Sequence, residues 1–237
     1  MSTLTLIRHG QARAFEKESD LLSALGEAQS RKLGEYWVRQ GATFDQVYTG
    51  PLVRQKRTAE LVAVTFDEAG LAFPDRIVID DLGEYDSKGI LATLTPDLAE
   101  RDPAFRNLVE SFERAATDRN RHFQRMFEVV VLQWLEGKIH SAAVEPWQAF
   151  RERVGRGLRQ IINEGGSGRR IVVFTSGGPI GVAVQTALGA PDRGAIEVNW
   201  RVRNCSLTEF VFGGGRFSLD TFNATPHLDD PDLVTYR

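Results

Sequence analysis

Short apolar segments typical of buried strands alternate along this chain with longer segments whose apolar residues recur at helical spacing. Residues 4–7 form the first strand-like segment, and residues 171–174 form the most apolar one. A helix capped by Ser23 and ending near Gly41 follows the first strand. Strand–helix–strand connections favour parallel strands with helices packed on both faces. The alternation therefore predicts a three-layer α/β/α sandwich with a mainly parallel sheet.

The other predicted elements follow from the same two periodicities. We predict further strands at 44–48, 76–79, 207–212 and 216–222, and further helices at 52–69, 146–163 and 179–188. Between about residues 96 and 140 the strand pattern stops and a long helical stretch takes over. We interpret that stretch as a helical cap inserted into a single domain of residues 1–237.

Charge and cysteine content limit the possible partners and the compartment. The formal net charge of −3 is too small to indicate binding to nucleic acid or to an anionic membrane. A single cysteine, Cys205, permits no internal disulfide, which suits the reducing cytosol. The N-terminal residues do not read as a leader, and no apolar run is long enough to span a bilayer. We therefore expect a cytoplasmic protein, and no segment indicates self-association.

Two segments that each follow a predicted strand contain residues suited to binding an anion. Arg8-His9-Gly10 follows the first strand, and Arg54 lies near the start of the helix after the second strand. The N-terminus of a helix attracts anions through its free amide groups and its dipole. Alternatively, His9 is a structural hydrogen-bonding residue, and Arg54 and Arg57 lie on a solvated helix face.

Several motifs together, in their order along nearly the whole chain, resemble the histidine phosphatase superfamily, the phosphoglycerate mutase-like proteins. That family's signature is Arg-His-Gly at the end of the first strand, here Arg8-His9-Gly10. The other matching segments are Leu22-Ser23 with Gly26 and Gln29, Pro51-Leu52-Val53-Arg54 with Thr58-Ala59, Glu145 to Trp147, Arg153-Val154, residues 171–180 and residues 223–228.

The resemblance implies catalysis through a phosphohistidine. A neutral His9 would attack phosphorus, and water would later cleave the covalent intermediate. Arg8 and Arg54 would bind the phosphoryl oxygens, and Gln11 would contact the phosphate. The resemblance thus implies a small phosphorylated substrate, no metal and no cofactor.

A carboxylic acid is needed to protonate the leaving oxygen, and the resemblance implies Glu84 for this role. Glu84 lies in the region that supplies the family's proton donor. Alternatively, Glu84 is a surface carboxylate, and nearby Asp80, Asp81 or Asp86 is the donor.

Ser176 is the main departure from the family pattern. It stands where the family usually has a second histidine before two glycines, here Gly177 and Gly178. A hydroxyl donates one hydrogen bond but carries no positive charge, so the transition state would lose about 2 to 4 kcal/mol of stabilisation. Ser176 and Gly177 would still bind phosphate at the start of a helix. The remaining histidines, which could enter the site instead, are His227, His122 and His140.

Three functions are compatible with these residues. We expect a phosphoric monoester hydrolase that acts on a small phosphomonoester through His9. A phosphoglycerate mutase is the first alternative, which Phe15 disfavours because many of the family's mutases have asparagine at this position. The second alternative is a weakly active or regulatory member of the family, because Ser176 replaces the second histidine.

Overall fold

The computed structural model describes residues 1–13, 19–138, 141–164 and 166–236. The chain divides into two units. The first combines Met1–Glu84 with Arg153–Arg237, and the second is Tyr85–Glu152.

The first unit is built on one six-stranded sheet. Its strands are β1 (Ser2–Arg8), β2 (Gln46–Thr49), β3 (Arg76–Val78), β4 (Arg170–Thr175), β5 (Leu207–Gly213) and β6 (Arg216–Ala224). They lie in the order β3-β2-β4-β1-β5-β6. The β1–β4, β2–β4 and β2–β3 pairs are parallel, whereas β5 is antiparallel to both β1 and β6. The predicted mainly parallel sheet is confirmed.

The described residues also form eight α-helices. They are α1 (Ala24–Arg39), α2 (Val53–Glu68), α3 (Ser87–Arg101), α4 (Pro103–Arg114), α5 (Arg119–Leu135), α6 (Trp147–Glu164), α7 (Gly177–Leu188) and α8 (Asp192–Asn199). Helix α1 begins after Ser23, whose side chain accepts a hydrogen bond from the Gly26 amide. The predicted N-cap is therefore confirmed.

The sheet is covered on both faces, as the three-layer prediction requires. On one face Ile7, Val172 and Phe174 pack with Leu33 of α1 and Val62 of α2 in a single buried cluster. Successive side chains of a strand point to opposite faces. The intervening Leu6 and Val173 are also buried, so the second face is covered as well.

Two helix starts and one further helix are the main differences from the sequence prediction. Helix α7 begins at Gly177, two residues before Pro179, because proline is tolerated within the first turn. The helical stretch expected from about residue 96 begins at Ser87, and Pro96 lies inside α3. Helix α8 was not predicted, because its short sequence follows Gly189 and Pro191 and lacks a long periodic pattern.

The second unit contains α3, α4, α5 and the first turns of α6. Its core includes an aromatic cluster in which the Tyr85 and Trp134 ring centroids are 5.0 Å apart and the Trp134 and Trp147 centroids 5.4 Å apart. The Trp134 indole N–H also donates to the Glu145 carbonyl over 2.7 Å. No helix among the described residues has both the length and the apolar character of a membrane-spanning segment.

Candidate active site

His9 lies just past the end of β1 and is 6% exposed. Its backbone N–H donates to the Thr175 carbonyl over 2.9 Å, so the ends of β1 and β4 hold it in place. The ring nitrogen Nδ1 is 2.7 Å from the Gly10 carbonyl oxygen. A carbonyl only accepts, so Nδ1 carries the proton in this hydrogen bond. The other nitrogen, Nε2, then keeps its lone pair in the neutral ring.

The Arg54 guanidinium is in direct contact with that lone pair. Arg54 Nε donates to His9 Nε2 over 3.0 Å. Arg54 Nη1 also pairs with Asp20 Oδ1 at 2.7 Å, and Asp20 Oδ2 accepts from the Val53 amide at 2.9 Å. Asp20 therefore binds Arg54 and the first turn of α2 at the same time.

Burial and positive charge both keep His9 neutral. Burial is the largest cause that lowers the pKa of His9 well below its usual value, followed by the positive charges of Arg54 and Arg8. The hydrogen bond to Gly10 acts in the opposite direction and is outweighed. A histidine in this environment is an unprotonated base with two guanidinium groups nearby.

Arg8 and Gln11, both predicted to bind phosphate, have partners within the protein. Arg8 Nη1 donates to the Val202 carbonyl. The Gln11 side-chain oxygen accepts from the Ser23 hydroxyl at 2.8 Å, while its backbone N–H donates to Gln29 at 2.8 Å. Gln11 thus connects the loop after β1 to the start of α1.

Glu84 lies against the first turn of α7. Its carboxylate oxygen Oε2 accepts from the Gly178 amide over 3.0 Å, a favourable place for a negative charge. Arg153 holds the preceding loop by donating to the Asp81 carbonyl at 3.0 Å and to the Gly83 carbonyl at 2.9 Å. The loop that carries Glu84 is thus fixed through its backbone.

Two of the alternative carboxylates have other partners. Asp81 pairs with Arg156 at 3.0 Å. Asp86 caps α3 by accepting from the Gly89 amide at 2.9 Å. Arg57, the other arginine of the α2 segment, pairs with Glu27 at 3.0 Å on the helix surface.

Ser176 is fully buried directly after β4. Its oxygen accepts a hydrogen bond from Gln55 Nε2 over 2.8 Å. Gly177, the first residue of α7, packs so closely that a Cβ there would be 2.2 Å from Asn199 Oδ1. The close packing against Asn199 therefore explains the glycine without reference to a ligand.

An unprotonated imidazole, two arginines, a carboxylate and the first amides of a helix thus all lie at or after the carboxyl ends of the parallel strands β1 to β4. The sequence profile of the histidine phosphatase superfamily (branch 1) matches residues 4–225. The chain belongs to that superfamily. No curated protein sequence matches the chain.

Solved structures of this superfamily's phosphatases and mutases have the same fold. Phosphoserine phosphatase from Entamoeba histolytica, in complex with 3-phosphoglyceric acid, is 18% identical, with a TM-score of 0.63 over 96% of this chain and 100% of that one. Alpha-ribazole phosphatase from Shigella flexneri is 19% identical, with a TM-score of 0.62 over 94% and 96%. Phosphoglycerate mutase from Bacillus anthracis is 16% identical, with a TM-score of 0.64 over 96% and 95%.

The sequence assigned no role to three residues next to the histidine phosphatase motifs. Asp20 gave no local signal, because its contacts with Val53 and Arg54 span 33 and 34 positions along the chain. Arg153 lies in a segment that matches the family pattern, but its contacts with the loop before Glu84 span about 70 positions and were not predicted. Gln55 gave a weak local signal, since a glutamine at the third position of a helix often bonds back to the N-cap amide. The Leu52 amide does donate to Gln55 Oε1 over 3.0 Å.

The other three histidines were the sequence-based alternatives for a second imidazole in the site. His227 packs beside Tyr36 of α1, with ring centroids 6.2 Å apart. His122 belongs to α5 in the second unit. His140 and Phe15 lie outside the described residues.

Stability should fall as the pH decreases from about 6.5 to about 4. His227 is buried, its ring nitrogens have no hydrogen-bond partner among the described residues, and burial lowers its pKa to about 4. As the pH falls, His227 takes up a proton at about pH 6.5 in the unfolded chain but only at about pH 4 in the folded chain. Folding therefore loses up to about 3 kcal/mol through His227 across this interval, and His9 acts in the same direction.

Urea unfolding at several pH values measures this loss. We expect His227→Phe and His227→Gln to flatten the dependence of the unfolding free energy on pH, because neither side chain titrates there. An unchanged slope in both variants would contradict the assignment to His227.

Proposed function

We propose that this protein is a phosphatase that hydrolyses a small phosphomonoester through a phosphohistidine on His9. The observation that carries the proposal is the state of the His9 ring. Nδ1 is bonded to the Gly10 carbonyl, and Nε2 receives an Arg54 N–H, so the lone pair lies beside a group that binds phosphate. Phosphatases among the solved structures of similar fold also support it.

In the first step of the proposed reaction, His9 Nε2 attacks phosphorus. The Nε2–P bond forms as the ester P–O bond breaks, and Glu84 gives a proton to the leaving oxygen. Before this attack the Arg54 Nε–H group must change its hydrogen-bond acceptor from His9 Nε2 to a phosphoryl oxygen, and Arg54 stays protonated. Arg54 and Arg8 then neutralise the charge on the transferring group.

In the second step, water attacks the phosphohistidine. Glu84, now ionised, takes a proton from the water as the new P–O bond forms and the Nε2–P bond breaks. Inorganic phosphate leaves and His9 returns to its neutral form. The hydrogen bond from Nδ1 to Gly10 fixes the same ring orientation in both steps.

The proposal also covers the domain organisation, the metal requirement and the cellular location. Both units belong to one functional domain, since the superfamily profile extends across them. The two guanidinium groups near His9 supply the positive charge that a metal supplies in other phosphoryl-transfer enzymes, so no metal is needed. The cytoplasm is the expected location, because the only cysteine is the buried Cys205 and no disulfide is required.

Product analysis tests the proposed function. We expect the enzyme to release inorganic phosphate from p-nitrophenyl phosphate and small phosphomonoesters, at a rate unchanged by EDTA. Interconversion of phosphoglycerate isomers without phosphate release would identify a mutase instead. Absence of both activities, with phosphate still bound, would favour a regulatory protein. A rate abolished by EDTA and restored by a divalent metal would refute the metal-independent mechanism.

A further inference from the structure

We infer that Gln55 and Ser176 act as one coupled pair that replaces the second imidazole of the family pattern with neutral hydrogen-bond donors. This inference rests on the proposed function, because it assigns the pair to the phosphate site of His9. Ser176 would contact a phosphoryl oxygen, and Gln55 would position the Ser176 hydroxyl.

The first support is the fixed orientation of the Gln55 amide. Gln55 is fully buried, and its Oε1 accepts from the Leu52 amide over 3.0 Å. A backbone N–H only donates, so the oxygen must face Leu52 and the NH₂ group must face the other way. That group donates to Ser176 Oγ at 2.8 Å and lies 3.4 Å from the Leu82 carbonyl.

The space around Gln55 supplies the second support. A Cβ on Gly50 would lie 2.2 Å from Gln55 Oε1, so only glycine at position 50 leaves room for this amide. Ser176 is the small residue at the other end of the same amide. An imidazole at position 176 in the rotamer of Ser176 would overlap Gln55. Gln55 in this conformation therefore requires a small residue at position 176, and this explains why serine stands there in place of the second histidine.

Each member of the pair is next in the chain to a residue that contacts the reacting histidine. Ser176 follows Thr175, which is in register with Arg8 and accepts from the His9 amide at 2.9 Å. Gln55 follows Arg54, whose Nε donates to His9 Nε2 at 3.0 Å. Both members are thus chain neighbours of residues that contact His9.

The hydrogen-bond directions make Ser176 a donor toward the ligand. Gln55 already donates to the Ser176 oxygen, so the hydroxyl hydrogen is left for another acceptor. We expect the Ser176 hydroxyl to donate this hydrogen to an oxygen of a phosphoryl group bound at His9. Neither a hydroxyl nor an amide titrates near neutral pH, so this part of the site should bind anions equally well from pH 6 to 8.

A set of four variants tests the coupling, with thermal unfolding as the first readout. We expect Ser176→His alone to lower Tm by about 3 to 10 °C, because the ring overpacks against Gln55. Adding Gln55→Ala should recover most of that loss and raise turnover of p-nitrophenyl phosphate at least tenfold over Ser176→His. The other two variants are Ser176→Ala and, as a control for glutamine removal on an exposed surface, Gln148→Ala.

Anion binding is the second readout, and it needs no turnover. Calorimetry at pH 7 should give a Kd for inorganic phosphate that is roughly tenfold weaker in Ser176→Ala and unchanged in Gln148→Ala. Sulfate is a suitable probe because its charge does not change from pH 6 to 8. Its affinity should depend on pH more steeply in the Ser176→His/Gln55→Ala variant than in the wild type, because the introduced imidazole titrates in this range. A purely structural role for the pair would not produce this difference.

Two results would overturn the inference. One is a Ser176→His variant that is as stable and as active as the variant that also carries Gln55→Ala. The other is a Ser176→Ala variant that binds phosphate as tightly as the wild type. Because Tm and phosphate affinity are measured without catalysis, they separate this inference from a failure of the proposed phosphatase activity.

Discussion

Replacing His9 with alanine should lower kcat for hydrolysis of p-nitrophenyl phosphate by about 10⁴-fold or more, because the covalent route is lost with the nucleophile. Arg8 and Arg54 remain in the variant and still attract phosphate, so KM should change much less than kcat. Steady-state kinetics at pH 7, with the fold checked by circular dichroism, measures both constants.

His227→Gln is the matched control for this experiment, because it also removes a buried histidine. Its kcat at pH 7 should stay close to the wild-type value, since His227 packs beside Tyr36. A His9→Ala enzyme with wild-type kcat would exclude His9 as the nucleophile.

Replacing Arg54 with alanine should lower kcat/KM by about 10³-fold, the smallest effect expected when a transition-state arginine is removed from phosphoryl transfer. Arg54→Lys should recover only part of this loss, because lysine cannot donate two parallel hydrogen bonds to phosphate. Arg57→Ala is the control on the same helix. Arg57 pairs with Glu27 on the helix surface, and its loss should leave kcat/KM nearly unchanged.

The pH profile gives a second readout for Arg54→Ala. Removing the positive charge beside His9 raises the pKa of His9 toward its usual value. Protonated His9 cannot attack, so the acid limb of kcat/KM should move to higher pH in this variant. An acid limb at the same pH as in the wild type would indicate that Arg54 does not act on His9.

Much of the fold could be predicted because its signals are local. The apolar run of β1, the Ser23 cap and the 3.6-residue periodicity of α1 and α2 are each contained in a short segment. The start of α3 was misplaced because Pro96 suggested a boundary. In the structure Ile90, Leu94 and Leu98 form one buried face that continues past the proline.

The candidate site could be predicted only in part, because several of its contacts join residues that are far apart in the sequence. Arg8, His9 and Arg54 carry a recognisable motif, and the structure brings His9 and Arg54 into contact. The contacts of Asp20 with Arg54 and of Gln55 with Ser176 span 34 and 121 positions and depend on how the sheet brings distant loops together. No periodicity or spacing in the sequence encodes such contacts. The replacement of the second histidine was visible in the sequence, whereas the residue that fills its space was not.

Rapid-quench labelling with a ³²P-labelled phosphomonoester tests the central claim most directly. The wild-type enzyme should form an acid-labile phosphoprotein within one turnover, with the label on Nε2 of His9 after digestion and mass spectrometry. Arg57→Ala should label normally, and His9→Ala should not label. A label on any other residue, or full turnover without a phosphoenzyme, would contradict the mechanism.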